Sequence, residues 1–466
     1  MGRKMQKSKI DGSKLRRLRE ELALTIEQLA EQTQKRARIT GDKSITAKTI
    51  WRIEHGSGAQ PYTLYRLADA LGVDTKDLLV SEESSETPFT ENLCNFGEYI
   101  EDRTNGFVGR GFVFEAIDKF VNKNECGYFF IHGDPGIGKT SVLAQLVKDR
   151  DWIHHFNVRA LGINTTETFV KNICSQLIID YELGYSILPA EISIDGRIFT
   201  EILQEVSGKL GPNEKMVIVV DALDEVESTS YRTGLNLLFL PSLLPRGIFV
   251  IASTRREAFA MRIECCCEDF NLDSDSKKNM SDIIAYLKQK LLNKEIQSYI
   301  KRCKLSRNTF VETMKDKSQG NFMYLHYVLP EIENGAYNDL DLGKIPVGLE
   351  NYYEDHWRRM GMMIKQPPRE KIKIIYVLSE VLQPVSRQLL ADFCKEDEIT
   401  VQGVLDEWNQ FLHRQEVEGV SRFSIYHNSF RDFLNRKEIV RAAGVSIQDI
   451  NHMIGDSLYY DLYGKE

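Results

Sequence analysis

Apolar residues recur at helical spacing through the first 80 residues of the chain. Leu15, Leu18 and Leu22 fall on one face of a predicted helix, and Thr25 is placed to cap the start of the next one. Further helical patterns follow, one of them with a proline in its first turn, so that five short helices are expected in all. The pattern predicts a compact all-α unit over residues 10–80.

A second pattern begins after residue 125, where short apolar runs alternate with helical segments. Tyr128 to His132 is an apolar run that leads through a glycine-rich turn into a helix. Met216 to Val220 are five consecutive apolar residues, and the segment GIFVIASTR supplies a third run of this kind. Such runs are typical of buried parallel strands. They predict an α/β unit built on a parallel sheet.

Length and composition limit the class of protein. The 466 residues give room for roughly three domains, and 42% hydrophobic with 27% charged residues is an ordinary globular balance. No window approaches the ~18 to 20 uninterrupted apolar residues of a membrane span, and the basic start lacks the apolar stretch of a signal peptide. Eight cysteines show no C-x-x-C pair and no zinc spacing. We therefore expect a cytoplasmic protein that does not enter the membrane.

The net charge of −8 is distributed unevenly. Residues 1–80 hold 16 Lys and Arg against 10 Asp and Glu, whereas residues 81–106 hold seven acidic groups against one arginine. The Ser, Glu and Thr composition that begins at residue 81 predicts an acidic linker. A basic head is suited to a polyanionic partner such as nucleic acid. A charged face that only contacts solvent is the alternative interpretation of the same excess of Lys and Arg.

The glycine-rich turn carries the most informative chemistry. Residues 133–140 match G-x-x-x-x-G-K-[ST], with a strand pattern before them and a helical pattern after them. The glycines let backbone N–H groups approach phosphate oxygens, and the helix N-terminus favours an anion. Lys139 is expected to pair with the β- and γ-phosphates, and Thr140 to bind Mg²⁺. The predicted phosphate-binding residues are Gly133, Asp134, Pro135, Gly136, Ile137, Gly138, Lys139, Thr140 and Ser141.

Acidic residues follow the second apolar run. Asp221 ends that strand and is expected to complete the Mg²⁺ shell. Asp224 or Glu225 would orient or deprotonate the attacking water, and Glu225 is preferred. Arg255 ends the third run and would reach the γ-phosphate if that strand lies beside the Asp221 strand; a surface arginine is the alternative. No N-K-x-D signature follows the phosphate loop, so we expect an adenine nucleotide, ATP or ADP.

The head resembles the helix-turn-helix domain of the Cro and phage-repressor family. The family's three helical motifs are matched by Thr25 to Ala30, Ile50 to Gly56 and Leu64 to Val73. The resemblance implies a recognition helix for the DNA major groove. The residues it would present are Thr46, Lys48, Thr49 and Arg52.

One part of the head departs from that family. The segment KRARITGDKSI is about ten residues longer than the family's tight turn, so the docking geometry is altered or the segment itself contacts phosphates through Arg36, Arg38 and Lys43. A helical bundle used for protein contact is the alternative interpretation of the head.

Segments from about residue 105 to 440 resemble the signal-transduction ATPases with numerous domains, the STAND class that includes the NACHT and apoptotic-ATPase groups. The resemblance implies that Val108, Gly109 and Arg110 border the adenine, that Arg255 reads the γ-phosphate, and that His427 hydrogen-bonds the β-phosphate of ADP. Without the resemblance, His427 beside Phe430 and Phe433 would be taken as a core residue. The segments that carry the resemblance are Phe107–Arg110, the phosphate loop, Asp221–Glu225, Ser253–Arg255, Gln319–Tyr324 and Tyr426–Leu434.

The expected fold class is multidomain, with an all-α helix-turn-helix head, an α/β P-loop NTPase with a parallel sheet, a helical subdomain and a winged helix. The predicted divisions are a helix-turn-helix DNA-binding domain at 10–80, an acidic linker at 81–104, a P-loop NTPase domain at 105–272, a helical subdomain at 273–345, a winged-helix domain at 346–440 and a C-terminal helical tail at 441–466.

The expected function is an ATP/ADP-switched signalling ATPase whose head binds double-stranded DNA. It would be a transcriptional regulator that forms homo-oligomers in the ATP state, reset by slow ATP hydrolysis and set off by an unidentified ligand or protein. One alternative is a bacterial-type defence signalling ATPase whose head is a protein-interaction module, and another is a motor or loader with continuous turnover. STAND proteins normally continue into a repeat region, and no internal repeat of 20–50 residues occurs here. Three expectations follow: the sensor is absent, the trigger acts through the head or another protein, or this chain is part of a longer one.

Overall fold

A computed structural model describes most of the chain between residues 12 and 463. The described residues are 12–21, 24–40, 45–54, 61–71, 73, 78, 89–227, 235–256, 261–335, 337, 342–364, 368–381, 383–417 and 419–463.

The described residues of the N-terminal unit form four α-helices, and the end of the unit, where the sequence predicts a fifth helix, lies largely outside the described residues. The four helices pack around a small apolar core to which Leu15, Leu29, Ile50 and Leu67 each contribute from a different helix. The helices are α1 (Gly12–Glu21), α2 (Ile26–Thr40), α3 (Ala47–Glu54) and α4 (Pro61–Leu71).

Polar contacts set the start of α2 and join α1 to α3. The Thr25 hydroxyl accepts from the Gln28 backbone N–H at 3.2 Å, and the Gln28 side chain accepts from the Thr25 N–H at 2.8 Å. This reciprocal pair is a capping box, so the predicted cap at Thr25 is confirmed. Arg19 and Glu54 form a buried two-contact ion pair of 2.5 and 2.9 Å between α1 and α3.

Residues 89–104 correct the linker prediction. They form the 3₁₀ turn Thr90–Asn92 and helix α5 (Gly97–Thr104), held by Phe89 and Phe96, which are both buried in the cores of the following unit. The acidic side chains of this segment are exposed. Its acidic composition predicted a linker, but two buried phenylalanines are enough to hold it on the α/β unit. Residues 81–88 of the predicted linker lie outside the described residues.

An α/β unit follows, with five parallel strands in the order β2-β3-β4-β1-β5. The predicted parallel sheet is confirmed, and β4 lies between β1 and β3. Its elements are α6 (Gly111–Lys123), β1 (Gly127–His132), α7 (Lys139–Arg150), β2 (Ile153–Phe156), α8 (Thr166–Asp180), α9 (Arg197–Lys209), β3 (Met216–Asp221), β4 (Ile248–Thr254) and β5 (Cys267–Asn271).

Helices cover both faces of this sheet. Phe129, Val219 and Ile251 point to the face of α6 and α7. Their neighbours along the strands, such as Phe130 and Val220, point to α8 and α9. Because alternate residues of a strand face opposite sides, continuous apolar runs are what such a sheet requires. Polar groups are left to the carboxyl ends of the strands, where ligands bind in open α/β sheets.

The remaining helices and three short strands share one continuous apolar core, which runs from Ile283 to Ile450. The strands form an antiparallel sheet in the order β6-β8-β7. No helix within the described ranges is long and apolar enough to cross a membrane. The elements are α10 (Lys277–Lys290), α11 (Lys294–Arg302), α12 (Arg307–Ser318), α13 (Phe322–Glu333), α14 (Leu349–Arg359), α15 (Arg369–Glu380), β6 (Val385–Ser386), α16 (Arg387–Cys394), α17 (Glu398–Glu407), β7 (Leu412–Val417), β8 (Val420–Ile425), α18 (Asn428–Leu434), α19 (Lys437–Ala443) and α20 (Ile447–Tyr463).

Candidate nucleotide-binding site

The loop between β1 and α7 has the backbone shape that a phosphate requires. Gly136 and Gly138 have φ angles of 81° and 98°, in the left-handed region that favours glycine. α7 begins at Lys139, so its first N–H groups, which have no partner within the helix, lie at the loop. A helix N-terminus with such groups attracts an anion.

The Lys139 side chain lies inside this loop. Its Nζ donates to the carbonyl oxygens of Gly133 at 2.6 Å and Asp134 at 3.3 Å. Burial lowers the pKa of Lys139, while the nearby Asp224 and Asp221 carboxylates act in the opposite direction. The ammonium group is therefore held at the position from which a bound phosphate would be neutralised.

Asp221 ends β3 almost completely buried, with 1% of its surface exposed. Its Oδ1 accepts from the Ser253 hydroxyl at 2.5 Å, and its Oδ2 has no hydrogen-bond partner among the described residues. Burial raises the pKa of Asp221, and the Ser253 and Thr140 hydroxyls act to lower it. An orphaned carboxylate oxygen near the Thr140 hydroxyl is a donor set that suits Mg²⁺, since this ion takes one or two protein oxygens and completes its shell with phosphate and water.

Glu225 ends the 3₁₀ turn Leu223–Glu225 that follows β3. Burial, and then the charge of Asp224, raises the pKa of Glu225 to about 7. Its Oε2 accepts only a long bond, 3.3 Å, from the Arg159 N–H. A carboxylate with a pKa near neutrality is suited to take a proton from water.

Arg255 lies at the end of β4, next to β3, as the strand order requires for the predicted contact with this site. Its Nε contacts Asp224 Oδ2 at 2.8 Å, and its Nη1 contacts Asp432 Oδ2 at 2.7 Å. Asp432 belongs to α18, so Arg255 joins the α/β unit to the C-terminal unit. Its role toward a γ-phosphate stays a prediction.

His427 caps the N-terminus of α18. Its Nδ1 accepts from the Ser429 backbone N–H at 3.1 Å and lies 2.6 Å from the Ser429 hydroxyl. Because Nδ1 accepts, the ring proton belongs on Nε2. Burial, and then the charges of Arg103, Lys139 and Arg255, lowers the pKa of His427 to about 3. A neutral imidazole with one Nε2–H donor therefore lines the same cavity as the phosphate loop.

The helical segment after α12 clamps the phosphate loop from outside. The Asn321 amide donates to the Pro135 carbonyl at 2.9 Å, and the Met323 N–H donates to the Gly136 carbonyl at 3.1 Å. A Cβ on Gly136 would lie 2.6 Å from Asn321 Oδ1, so close approach as well as the positive φ requires glycine there. The sequence singled out the 319–324 segment by resemblance, but not its contact with the loop.

Arg110 has a structural task in this region. It is 2% exposed, and its guanidinium donates to the Ile137 carbonyl at 2.5 Å and to Asn279 Oδ1 at 2.8 Å. Burial lowers the pKa of Arg110 to about 10, and Asp282 opposes this shift. Arg110 therefore ties the phosphate loop to α10.

One cavity of about 420 Å³ collects most of the predicted residues, a volume within the usual range of small-molecule sites. Four described residues of the predicted set lie outside its lining: Gly109, Gly133, Asp134 and Ile137. Gly109 has a φ of 81° and packs against Asp282. The predicted residues that line the cavity are Val108, Arg110, Pro135, Gly136, Gly138, Lys139, Thr140, Ser141, Asp221, Asp224, Glu225, Arg255 and His427.

Sequence reasoning missed a cluster of aromatic and cationic side chains in the lining. Arg103 donates to the Tyr426 hydroxyl at 2.5 Å, with its guanidinium 4.5 Å from the ring centre. His326 stacks on the same Tyr426 ring, with ring centres 5.4 Å apart and planes 9° apart. Phe107 and Tyr286 line the same cavity. Phe107 and Tyr426 stood in quoted segments, but nothing local in the sequence pointed to Arg103 or His326.

Comparisons with known proteins concern the head and the overall fold. Residues 12–83 match a family described as a helix-turn-helix domain. The N-terminal unit is a helix-turn-helix domain. No curated protein matches the chain.

Solved structures that resemble the chain include three examples with low scores. A STAND protein with a tetratricopeptide repeat sensor from Pyrococcus horikoshii is 14% identical, with a TM-score of 0.40, over 77% of this chain and 46% of that one. Drosophila ORC bound to DNA is 14% identical, with a TM-score of 0.29, over 74% and 98%. A mutant form of RuvB from Thermotoga maritima is 11% identical, with a TM-score of 0.27, over 76% and 99%. The chain thus spans about half the length of the STAND protein.

The predicted DNA-reading residues lie on or before α3, and several of them have partners within the protein. Thr46 caps α3 by accepting from the Thr49 N–H at 3.2 Å, and the two hydroxyls lie 2.9 Å apart. Arg52 contacts Asp151 and Asp180 of the α/β unit, at 2.7 Å in each case. Lys48 is exposed. DNA contact by these four residues stays a prediction.

The long segment before α3 is partly a continuation of α2, which runs to Thr40. The side chains of Arg36 and Arg38, and the whole of Lys43, lie outside the described residues.

Proposed function

We propose that this chain is a nucleotide-switched regulator of the STAND type, with a helix-turn-helix head that binds double-stranded DNA. The observation that carries the proposal is a single cavity lined from both sides. The α/β unit supplies Lys139, Asp221 and Glu225, and the C-terminal unit supplies His427. A nucleotide there would be held by two units at once, so its phosphates could set how the units sit.

The residues of the cavity divide into roles along a bound nucleotide. The loop N–H groups and Lys139 would bind the phosphates. Arg103, Phe107 and Tyr426 offer stacking and cation–π surfaces that suit an adenine. His427 would donate from Nε2 to the β-phosphate of ADP, the form that bridges the two units.

Hydrolysis would serve to reset the switch. Glu225 would accept a proton from the attacking water, and Arg255 would turn from Asp224 and Asp432 toward a γ-phosphate. Thr140 and Asp221 would hold Mg²⁺, which neutralises phosphate charge when bound. In this proposal, Arg255 would leave Asp432 to bind the γ-phosphate of ATP. ATP would therefore loosen the Arg255–Asp432 contact between the two units, which ADP leaves in place.

The proposal keeps the divisions inferred from the sequence, except that the α/β unit begins with residues 89–104. The hairpin of β7 and β8 with β6, α15, α16 and α17 has the element content of a winged helix, and we assign it so. Assembly of the ATP form into homo-oligomers and control of transcription are parts of the same proposal.

The test is the nucleotide that the purified full-length chain carries. We expect denaturation to release ADP, and we expect exchange for Mg²⁺-ATP to change duplex DNA binding and sedimentation. The variant Lys139→Ala should carry no nucleotide, because the substitution removes the cation that binds the phosphates while the fold is retained. Retained tight nucleotide binding in that variant, or rapid turnover from an empty site, would contradict the switch.

A second function remains in competition because of one contact. Arg52 of the head pairs with carboxylates of the α/β unit, which favours a head that serves as a protein-interaction module of a defence signalling ATPase. The two functions differ in salt dependence, since the logarithm of DNA affinity falls linearly with the logarithm of salt concentration. Absence of any duplex binding at low salt would favour this second function.

A further inference from the structure

The head docks on the α/β unit through α3, the helix assigned to DNA. Arg52 Nη1 lies 2.7 Å from Asp151 Oδ2 and donates to the Asp151 carbonyl at 2.6 Å. Its Nη2 lies 2.7 Å from Asp180 Oδ2. The Arg52 and Asp180 side chains are 14% and 9% exposed, so this is a largely buried ion pair rather than a surface contact.

The docking site is built from the ends of two helices. Asp151 is the C-cap that follows the last residue of α7, and Asp180 is the last residue of α8. Helix C-termini carry partial negative charge, so the backbone and the two carboxylates act together on a cation. Asp180 and Asp151 hold the pKa of Arg52 above its usual value in spite of burial.

A second cation of α3, Lys48, lies four residues before Arg52 and is exposed. The acidic docking site, defined here as Asp151 and Asp180, offers negative charge to Arg52, a cation that a DNA phosphate would also attract.

We propose that the acidic docking site is a competitor of DNA for the recognition helix, so that the head binds a duplex only after it leaves the α/β unit. The inference rests on the proposed function, because it assumes that the face of α3 that carries Arg52 binds DNA. In the docked head, both Nη groups of Arg52 are engaged by Asp151 and Asp180 and its Nε is buried, so a phosphate reaches this guanidinium only after α3 leaves the two carboxylates. Release of the head is thus a separate requirement, beyond the nucleotide cavity, for DNA binding.

The test compares two properties of the full chain in the presence of ADP. The variant Asp151→Asn with Asp180→Asn removes both charges and keeps side-chain size. Asp118→Asn is the matched control, since Asp118 pairs with Arg150 within the α/β unit and not with the head. Arg52→Gln is the third variant, because it removes the shared cation itself.

Hydrogen exchange measures docking without DNA. We expect faster exchange in peptides on both sides of the contact, residues 47–54 and 148–152, for the double variant and for Arg52→Gln. The control should match the parent. Faster exchange on the head side alone would report an unstable head, and no change on either side would overturn the docking.

Fluorescence anisotropy with a labelled 20-base-pair duplex at low salt measures competition. We expect the double variant to bind at least tenfold more tightly than the parent, Asp118→Asn to match the parent, and Arg52→Gln to show no gain although it is undocked. An undocked double variant with the parent's DNA affinity would overturn the competition. If no variant, docked or undocked, binds DNA, the proposed DNA-binding function fails as well, and the exchange data separate that result from a failure of docking.

Discussion

At the scale of single residues, burial decides which groups of the cavity can exchange protons near neutral pH. Glu225 and His427 both line the cavity, yet burial moves their pKa values in opposite senses, to about 7 and about 3. Burial disfavours the charged form in both cases, which is the carboxylate in one and the imidazolium in the other. The carboxylate is therefore the group of this pair that titrates near pH 7.

The first prediction concerns the pH dependence of ATP hydrolysis. Because Glu225 must be deprotonated to accept a proton, and its pKa is raised, turnover should fall as pH drops through about 7. Glu225→Gln should lower the rate at least about 100-fold, the usual contribution of a general base. Glu227→Gln, two residues further on, is the control and should keep the parent rate. A rate independent of pH from 6 to 8 would exclude Glu225 as the base.

The second prediction concerns the His427 donor. Its loss should weaken ADP binding by roughly 10- to 100-fold, since a hydrogen bond to a charged group is worth about 1.5–3 kcal/mol. Histidine also caps α18, so His427→Asn is preferred to alanine, because asparagine retains capping. His413→Asn is the control, on β7 outside the cavity lining. The imidazole stays neutral at pH 5.5 and at pH 7.5, so the loss of ADP affinity caused by His427→Asn should be the same at both pH values in calorimetric titration.

At the scale of elements, the sequence was most informative where one short segment contains a complete strand–loop–helix motif. The phosphate loop, its strand and its helix follow one another within residues 127–150, so local spacing was enough to place Lys139 and Thr140. Contacts between distant segments had no such signal. Arg103 meets Tyr426 across more than 300 residues, and Asn321 meets the Pro135 carbonyl across 186. Such pairs depend on packing, which spacing does not encode.

The third prediction tests the clamp between α13 and the phosphate loop. Asn321→Ala removes both the N-cap of α13 and the bond to the Pro135 carbonyl. Asn293→Ala removes the N-cap of α11, outside the cavity lining. Each should lose about 1 kcal/mol of unfolding free energy, the usual value of a cap. Only Asn321→Ala should also weaken ADP binding, by several-fold. Equal ADP affinities for the two variants would show that the clamp does not shape the site.

At the scale of the whole molecule, polar bridges join units that lie far apart in the sequence. Arg255 meets Asp432 and Arg103 meets Tyr426 between the α/β and C-terminal units, while Arg52 meets Asp180 between the head and the α/β unit. In all three, an arginine is supplied by one unit and its partner by another. A phosphate can replace the partner of each arginine, so each arginine can bind either its partner in the protein or a phosphate. On the proposed function, anionic ligands would control the arrangement of the units by taking these arginines from their partners.

The fourth prediction tests the bridge beside the cavity. Asp432→Asn removes the charge that holds Arg255 to α18, and we expect faster release of a fluorescent ADP analogue in stopped-flow measurements. The pair is partly exposed, so the effect should be modest, at most about 1 kcal/mol, or roughly fivefold in rate. Asp406→Asn, which loses only a contact to Gln402 within α17, is the control. If Asp432→Asn instead slows release, the bridge holds the units apart rather than together, and the direction of the switch must be reversed. An acceleration that disappears at high salt is the expected behaviour, because screening weakens the same ion pair in the parent.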